Sequence, residues 1–127
     1  MLLSINTADA RPIYVQIMDE VRRGLVLGTL KAEDALPSVR QLAADLRVNP
    51  NTVAQAYREL EREGVVYVRR GQGTFVTDAR TNGNERRALA RGVAERAVVD
   101  AHRNGIGADE LVEAIREVAD THITGDA

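Results

Sequence analysis

The chain has 127 residues, 44% hydrophobic and only 3% aromatic, enough for one domain or one small domain with an appendage, built on an aliphatic core. It has no cysteine, which excludes a disulfide framework, a thiolate metal site and a cysteine nucleophile, and fits a reducing cytoplasm. Net charge is −2, with 10 basic and 10 acidic side chains in residues 1–78 and 7 against 9 in residues 79–127, so no strongly basic domain advertises a polyanionic partner.

The first residues, MLLSINTADARP, lack the basic region and apolar run of a signal peptide. No stretch approaches the roughly 18 apolar residues of a membrane span. A cytoplasmic protein is expected. Leu3 and Ile5 alternate, then Pro12 suits a first helical turn. Ile13, Ile17, Val21 and Leu25 recur every four residues, which predicts an amphipathic helix of about 15 residues. Gly28 ends it. Thr29 to Ala35 reads as a short connection.

Ser38 opens a second helix, and Gln41 three residues on completes a capping box. Val39, Leu42, Ala43 and Leu46 give this helix its apolar face. Arg47-Val48 is a turn. Asn49 caps a third helix with Pro50 at its first position. Val53, Ala56, Tyr57 and Leu60 fall at i, i+3, i+4 and i+7, a full core stripe. Gly64 stops that helix. Val65 to Val68 is β-branched and aromatic and reads as a strand, Arg69 to Gly73 as a glycine-rich turn, and Thr74 to Val76 as the return strand.

Thr77 to Asn84 reads as a linker. A fourth helix is predicted from about Glu85 to Asn104, closed by Gly105. A fifth follows, with Gly107 as cap and Glu110 three residues on. The fold class is mainly α with a small β wing: a winged helix-turn-helix over residues 1–78, then a linker and two-helix dimerisation appendage over 79–127.

Helix, turn, helix and hairpin in that order place polar side chains where a DNA groove would lie. A recognition helix presents its first residues to base edges, and asparagine can pair with adenine through two hydrogen bonds. Asn49 is either such a contact or only a cap; Asn51 and Thr52 have no capping role. Gln55 and Arg58 follow Asn51 at i+4 and i+7 and share its face. Arg40 opposes the helix dipole in the first turn of the second helix, which a DNA phosphate would justify. Ser38 and the amides it caps can hold the same backbone. Arg69 and Arg70 flank the tip Gly71-Gln72-Gly73, where glycine permits close approach to a groove. Arg40, Arg58, Arg69 and Arg70 are the phosphate candidates, and binding should weaken steeply with salt. Since residues 1–78 are neutral, binding must rest on local asymmetry.

Residues 37–76 resemble the GntR family of bacterial transcription regulators. Pro-Ser-x-Arg-x-Leu-Ala at 37–43, Asn-x-Asn-Thr-Val at 49–53, Ala-Tyr-x-x-Leu at 56–60, Glu-Gly at 63–64 and Gly-x-Gly-Thr-Phe-Val at 71–76 carry the likeness, with Pro-Ile-Tyr-x-Gln-Ile at 12–17 before them. The short two-helix tail is similar to the YtrA-like subfamily. The resemblance implies a homodimer that binds an inverted-repeat DNA operator, usually as a repressor, often at a transporter operon. It also implies a DNA contact at Arg40. The chain departs from the family at Ala54, Gln55 and Gln72, where relatives often carry cations.

Two helices cannot form a core alone. Leu89, Val93 and Ala97 on the fourth helix and Leu111, Ile115 and Val118 on the fifth form aliphatic stripes suited to a second subunit. His102 and His122 sit at no metal-ligand spacing, so neither metal nor cofactor is expected, and no nucleophile with a base suggests an enzyme. Two other readings are open: a winged helix used for protein contact, and a sensor whose C-terminal helices hold a small-molecule effector of unknown identity.

Overall fold

The computed structural model describes residues 5, 8–77 and 84–122. The element order is α1 (Ile13–Leu27), α2 (Val39–Leu46), α3 (Pro50–Arg62), β1 (Val66–Arg69), β2 (Gly73–Val76), α4 (Asn84–Arg103) and α5 (Ala108–His122). It is a mainly helical chain with an antiparallel hairpin, Val66 opposite Val76 and Arg69 opposite Gly73. The chain divides into two compact units, Met1–Ala90 and Arg91–Ala127. Residues 78–83 of the expected linker, and Leu3, lie outside the described residues.

In the first unit the apolar stripe of α3 is the centre. Val53, Ala56, Tyr57 and Leu60 are all buried. α1 brings Ile17 and Val21, α2 brings Leu42 and Ala43, and the hairpin brings Val66 and Val76 into the same cluster. α1, α2 and β1 each pack on α3. Ile5 covers part of the cluster from the N-terminal side. Gly28, at φ 82°, closes α1 by donating its N–H to the Leu25 carbonyl, a conformation that glycine adopts without steric cost.

The structure departs from the sequence reading in several places. The first strand begins at Val66 rather than Val65, because the Val65 N–H is used to close α3 on the Leu60 carbonyl at 2.9 Å. Arg69, expected in the turn, is a strand residue paired with Gly73. Residues 33–35 of the expected connection, with Leu36 after them, form a short ladder on β2. The Glu33 N–H donates to Val76 O at 2.9 Å, the Val76 N–H to Asp34 O at 2.9 Å, and the Leu36 N–H to Thr74 O at 2.8 Å. Only half of the α2 capping box forms: Ser38 Oγ accepts from the Gln41 N–H at 3.0 Å, while the Gln41 side chain donates to Asp45 at 2.8 Å. At α5 the reciprocal half appears, with the Gly107 N–H donating to Glu110 at 3.2 Å.

A chain of ion pairs, buried except at Glu63, ties the segment before α1 to α1 and to the end of α3. Arg11 meets Asp9 at 3.1 Å and Asp19 at 2.6 Å. Arg22 meets Asp19 at 3.0 Å and Glu63 at 2.7 Å. Burial alone would lower the Arg11 pKa, but hydrogen bonds to Asp9 and Asp19 and their charges together raise it above its ordinary value. Asp19 sits between two cations whose side chains are only 12% and 9% exposed. Removing it leaves both short of a counter-charge, so Asp19→Ala should destabilise the fold by about 3 kcal/mol. Urea denaturation measures this, and a loss under about 1 kcal/mol, the range of an exposed pair, would contradict it.

In the second unit α5 has no buried residue. Val112, Ile115 and Val118 are about half exposed. No helix among the described residues is long and apolar enough to cross a membrane.

Candidate nucleic-acid interface

α2 and α3 are set against each other by a side-chain bond as well as by apolar contact. The Tyr57 hydroxyl donates to the Pro37 carbonyl at 2.7 Å, one residue before the α2 cap. Arg47 turns the chain between the helices in the left-handed conformation, φ 57° and ψ 46°. Its N–H and that of Val48 close the end of α2 on carbonyls of residues 43 and 44. Neither α2 nor α3 has an acidic residue in its first turn, so both N-termini keep the partial positive charge of the helix dipole.

The α3 residues opposite the buried stripe are the ones named from sequence. Asn51 and Arg58 are exposed, and Thr52 and Gln55 are half-buried. Asn49 Oδ1 accepts from the Asn51 N–H at 2.8 Å. That use as a cap occupies the oxygen that a two-bond contact with adenine would need. Ser38 Oγ is occupied in the same way on α2. Arg40 stands exposed in the first turn of α2.

Within this neutral half of the chain the arginines divide into two sets. Arg11, Arg22, Arg23, Arg62 and Arg69 are all paired with acids. Among the described residues Arg40, Arg47, Arg58 and Arg70 have no ion pair or side-chain hydrogen bond, and all four are exposed. They stand on α2, in the turn, on α3 and on the wing. Sequence reasoning missed Arg47. Its signal was a cation in the turn between two helices.

At the wing, Gly71 has φ 79° and Gly73 φ 125°. The Gln72 N–H donates to the Arg69 carbonyl at 2.9 Å and closes the turn, leaving Arg70, Gly71 and Gln72 as its exposed tip. Arg69 is engaged elsewhere. Its guanidinium lies 4.0 Å above the Phe75 ring, donates from Nε to the Tyr67 hydroxyl at 3.0 Å, and pairs with Glu33. The hydrogen bond to Tyr67 first, and the Glu33 charge with it, raise the Arg69 pKa above its ordinary value.

Profile comparison places residues 13–76 in the gntR family of bacterial regulatory proteins. The chain belongs to the GntR family. A relative, the HTH-type transcriptional repressor YtrA of Bacillus subtilis, is 37% identical over 120 residues, covering 93% of this chain and 92% of its own. Among solved structures, a GntR family transcriptional regulator from Listeria monocytogenes is 34% identical, with a TM-score of 0.62 over 86% of this chain and 96% of its own. YtrA from Sulfolobus acidocaldarius, a GntR-family transcription factor, is 32% identical, with a TM-score of 0.54 over 93% of this chain and 97% of its own. These three relatives are transcription regulators. No group of three or more potential metal ligands occurs among the described residues.

Of the C-terminal candidates, Leu89, Ala97 and Leu111 are half-buried, and Val93, Ile115 and Val118 are more than half exposed. Leu111, Ala114, Ile115, Val118, Ala119 and His122 line a shallow apolar groove on α5.

The Tyr57 phenol is buried, and desolvation raises its pKa well above 10.0. A raised acid pKa favours the neutral folded state, so this contribution is complete below about pH 10 and is lost as pH rises through the folded value. Tyr57→Phe should lower stability by about 1 kcal/mol at neutral pH through loss of the Pro37 bond. It should also lose less stability than the parent above about pH 10. Thermal unfolding across pH tests both; equal alkaline losses would refute the assignment.

Proposed function

We propose that this GntR-family chain is a cytoplasmic DNA-binding transcription repressor that acts as a homodimer on an inverted-repeat operator. The observation that carries the reading is the exposed, unpaired set Arg40, Arg47, Arg58 and Arg70 on the helix-turn-helix and wing, within a domain whose other arginines are neutralised internally. Residues 1–78 serve as the DNA-binding domain and 79–127 as linker and dimerisation region. Asn51, Thr52 and Gln55 read base edges in the major groove. Arg40, Arg58 and Arg70 meet phosphates, aided by the amide-rich starts of α2 and α3. Gly71-Gln72-Gly73 carries the wing backbone toward the neighbouring groove, with Gln72 as a donor to minor-groove acceptors. Asn49 and Ser38 hold the helix starts that present these groups.

The half-exposed aliphatic stripes support the assembly. Leu111, Ile115 and Val118 on α5, with Leu89, Val93 and Ala97 on α4, are covered by the same surface of a second subunit. Two recognition helices are then presented about 34 Å apart, roughly one turn of DNA. Similarity over 93% of this chain to a transcriptional repressor supports the sign of regulation. A transporter operon is the proposed target.

Selection of bound duplexes from a random pool tests the reading directly; no enriched sequence would refute it. On the enriched duplex, Asn51→Ala should weaken binding by about 1–3 kcal/mol and relax base preference at one position. Arg40→Ala should weaken binding to cognate and unrelated DNA alike, and a loss confined to the cognate sequence would contradict a phosphate contact. For the assembly, Leu111→Asp with Ile115→Asp should sediment as a monomer where the parent is a dimer. A persistent dimer would move the interface off α5.

A further inference from the structure

The wing has two adjacent arginines in opposite states. Arg70 is exposed and, among the described residues, has no side-chain partner. Arg69 is held by three groups on the outer face of the hairpin. Phe75 and Tyr67 provide ring faces 4.0 and 5.4 Å from its guanidinium carbon. Glu33, 36 residues away in sequence, provides the counter-charge. The same carboxylate accepts from the Tyr67 hydroxyl.

Glu33 reaches this place at a conformational cost. Its φ is 71°, in the left-handed region, which is disfavoured for a residue with a Cβ. The ladder on β2 holds it there through the Glu33 N–H and Val76 O. Its own Cβ has no steric reason to be present, since glycine would adopt that backbone freely. What the side chain adds is a carboxylate against Arg69.

We propose that Glu33 competes with the DNA backbone for Arg69 and so sets the affinity and salt dependence of the wing. Carboxylate and phosphate oxygens use the same guanidinium donors. Arg69 and Glu33 have side chains 38% and 47% exposed, so a phosphate can take the place of Glu33 without opening the fold. While the pair holds, Arg69 releases no counterion from DNA. The competition rests on the DNA-binding reading above.

Full-length protein and the duplex enriched by the parent chain provide the test, with binding measured across potassium chloride concentrations. Glu33→Gln keeps a carbonyl acceptor for Tyr67 and removes the charge. It should bind about two- to fivefold tighter near physiological salt, the range of an exposed ion pair. Its log–log salt slope should steepen by up to about 0.9 per wing. Adding Arg69→Gln to Glu33→Gln should return the slope to the parent value. Glu33→Gly, which also relieves the left-handed backbone, should show the same steepening and carries the test if Glu33→Gln melts early. Unchanged or weaker binding by folded Glu33 variants overturns the competition while leaving the DNA reading intact. Failure of the parent to enrich any duplex overturns the DNA reading itself.

Discussion

Burial of the Val53, Ala56, Tyr57 and Leu60 stripe sets the orientation of the elements packed around α3. At 3.6 residues per turn, a stripe committed inward leaves the opposite one committed outward. α1, α2 and β1 are all referred to that buried stripe. Packing α3 and aiming Asn51, Gln55 and Arg58 are therefore one event. A slip of α3 about its axis would expose Leu60, which is fully buried, and would turn the polar face away at the same time. The Tyr57 hydroxyl adds a polar constraint to the same stripe, because its bond to Pro37 ties the start of α2 to the middle of α3.

Charge is organised by pairing rather than by excess. Overall composition suggests a domain indifferent to polyanions. The structure separates the arginines into those that hold the fold, such as Arg11 and Arg22, and those left at the surface, such as Arg40 and Arg58. The acids follow the same division. Asp19 and Asp9 are buried among cations, where their charge is spent locally. A field at the surface depends on which charges remain uncompensated there, and net charge does not record that.

The helix boundaries were legible because each rests on local chemistry. Ser38 and Asn49 cap the amides of their own helices, and Gly28 and Gly105 adopt the positive φ that ends a helix. The β-branched and aromatic run and the glycine tip of the hairpin are equally local. What escaped was non-local. Glu33 to Leu36 has no strand pattern, and its pairing with β2 depends on where the hairpin folds back. The Asp19–Arg22–Glu63 chain joins residues far apart in sequence. Arg69 read as a free cation because its partner, Glu33, precedes two helices. At the site, the polar face of α3 was legible from periodicity, whereas Arg47 was hidden inside a two-residue turn.

α5 carries a further implication through its length. It has 15 residues, none buried, and an isolated helix of about that size is marginal in water even with good propensity. The Glu110 cap supplies only a small part of what is missing. In the proposed dimer the helix would take most of its stability from the second subunit's surface over its aliphatic stripe. Under that proposal, ordering of this end of the chain and association become a single linked equilibrium, in which helical content follows protein concentration. Dilution would then lower the number of assembled molecules and the order within each chain together.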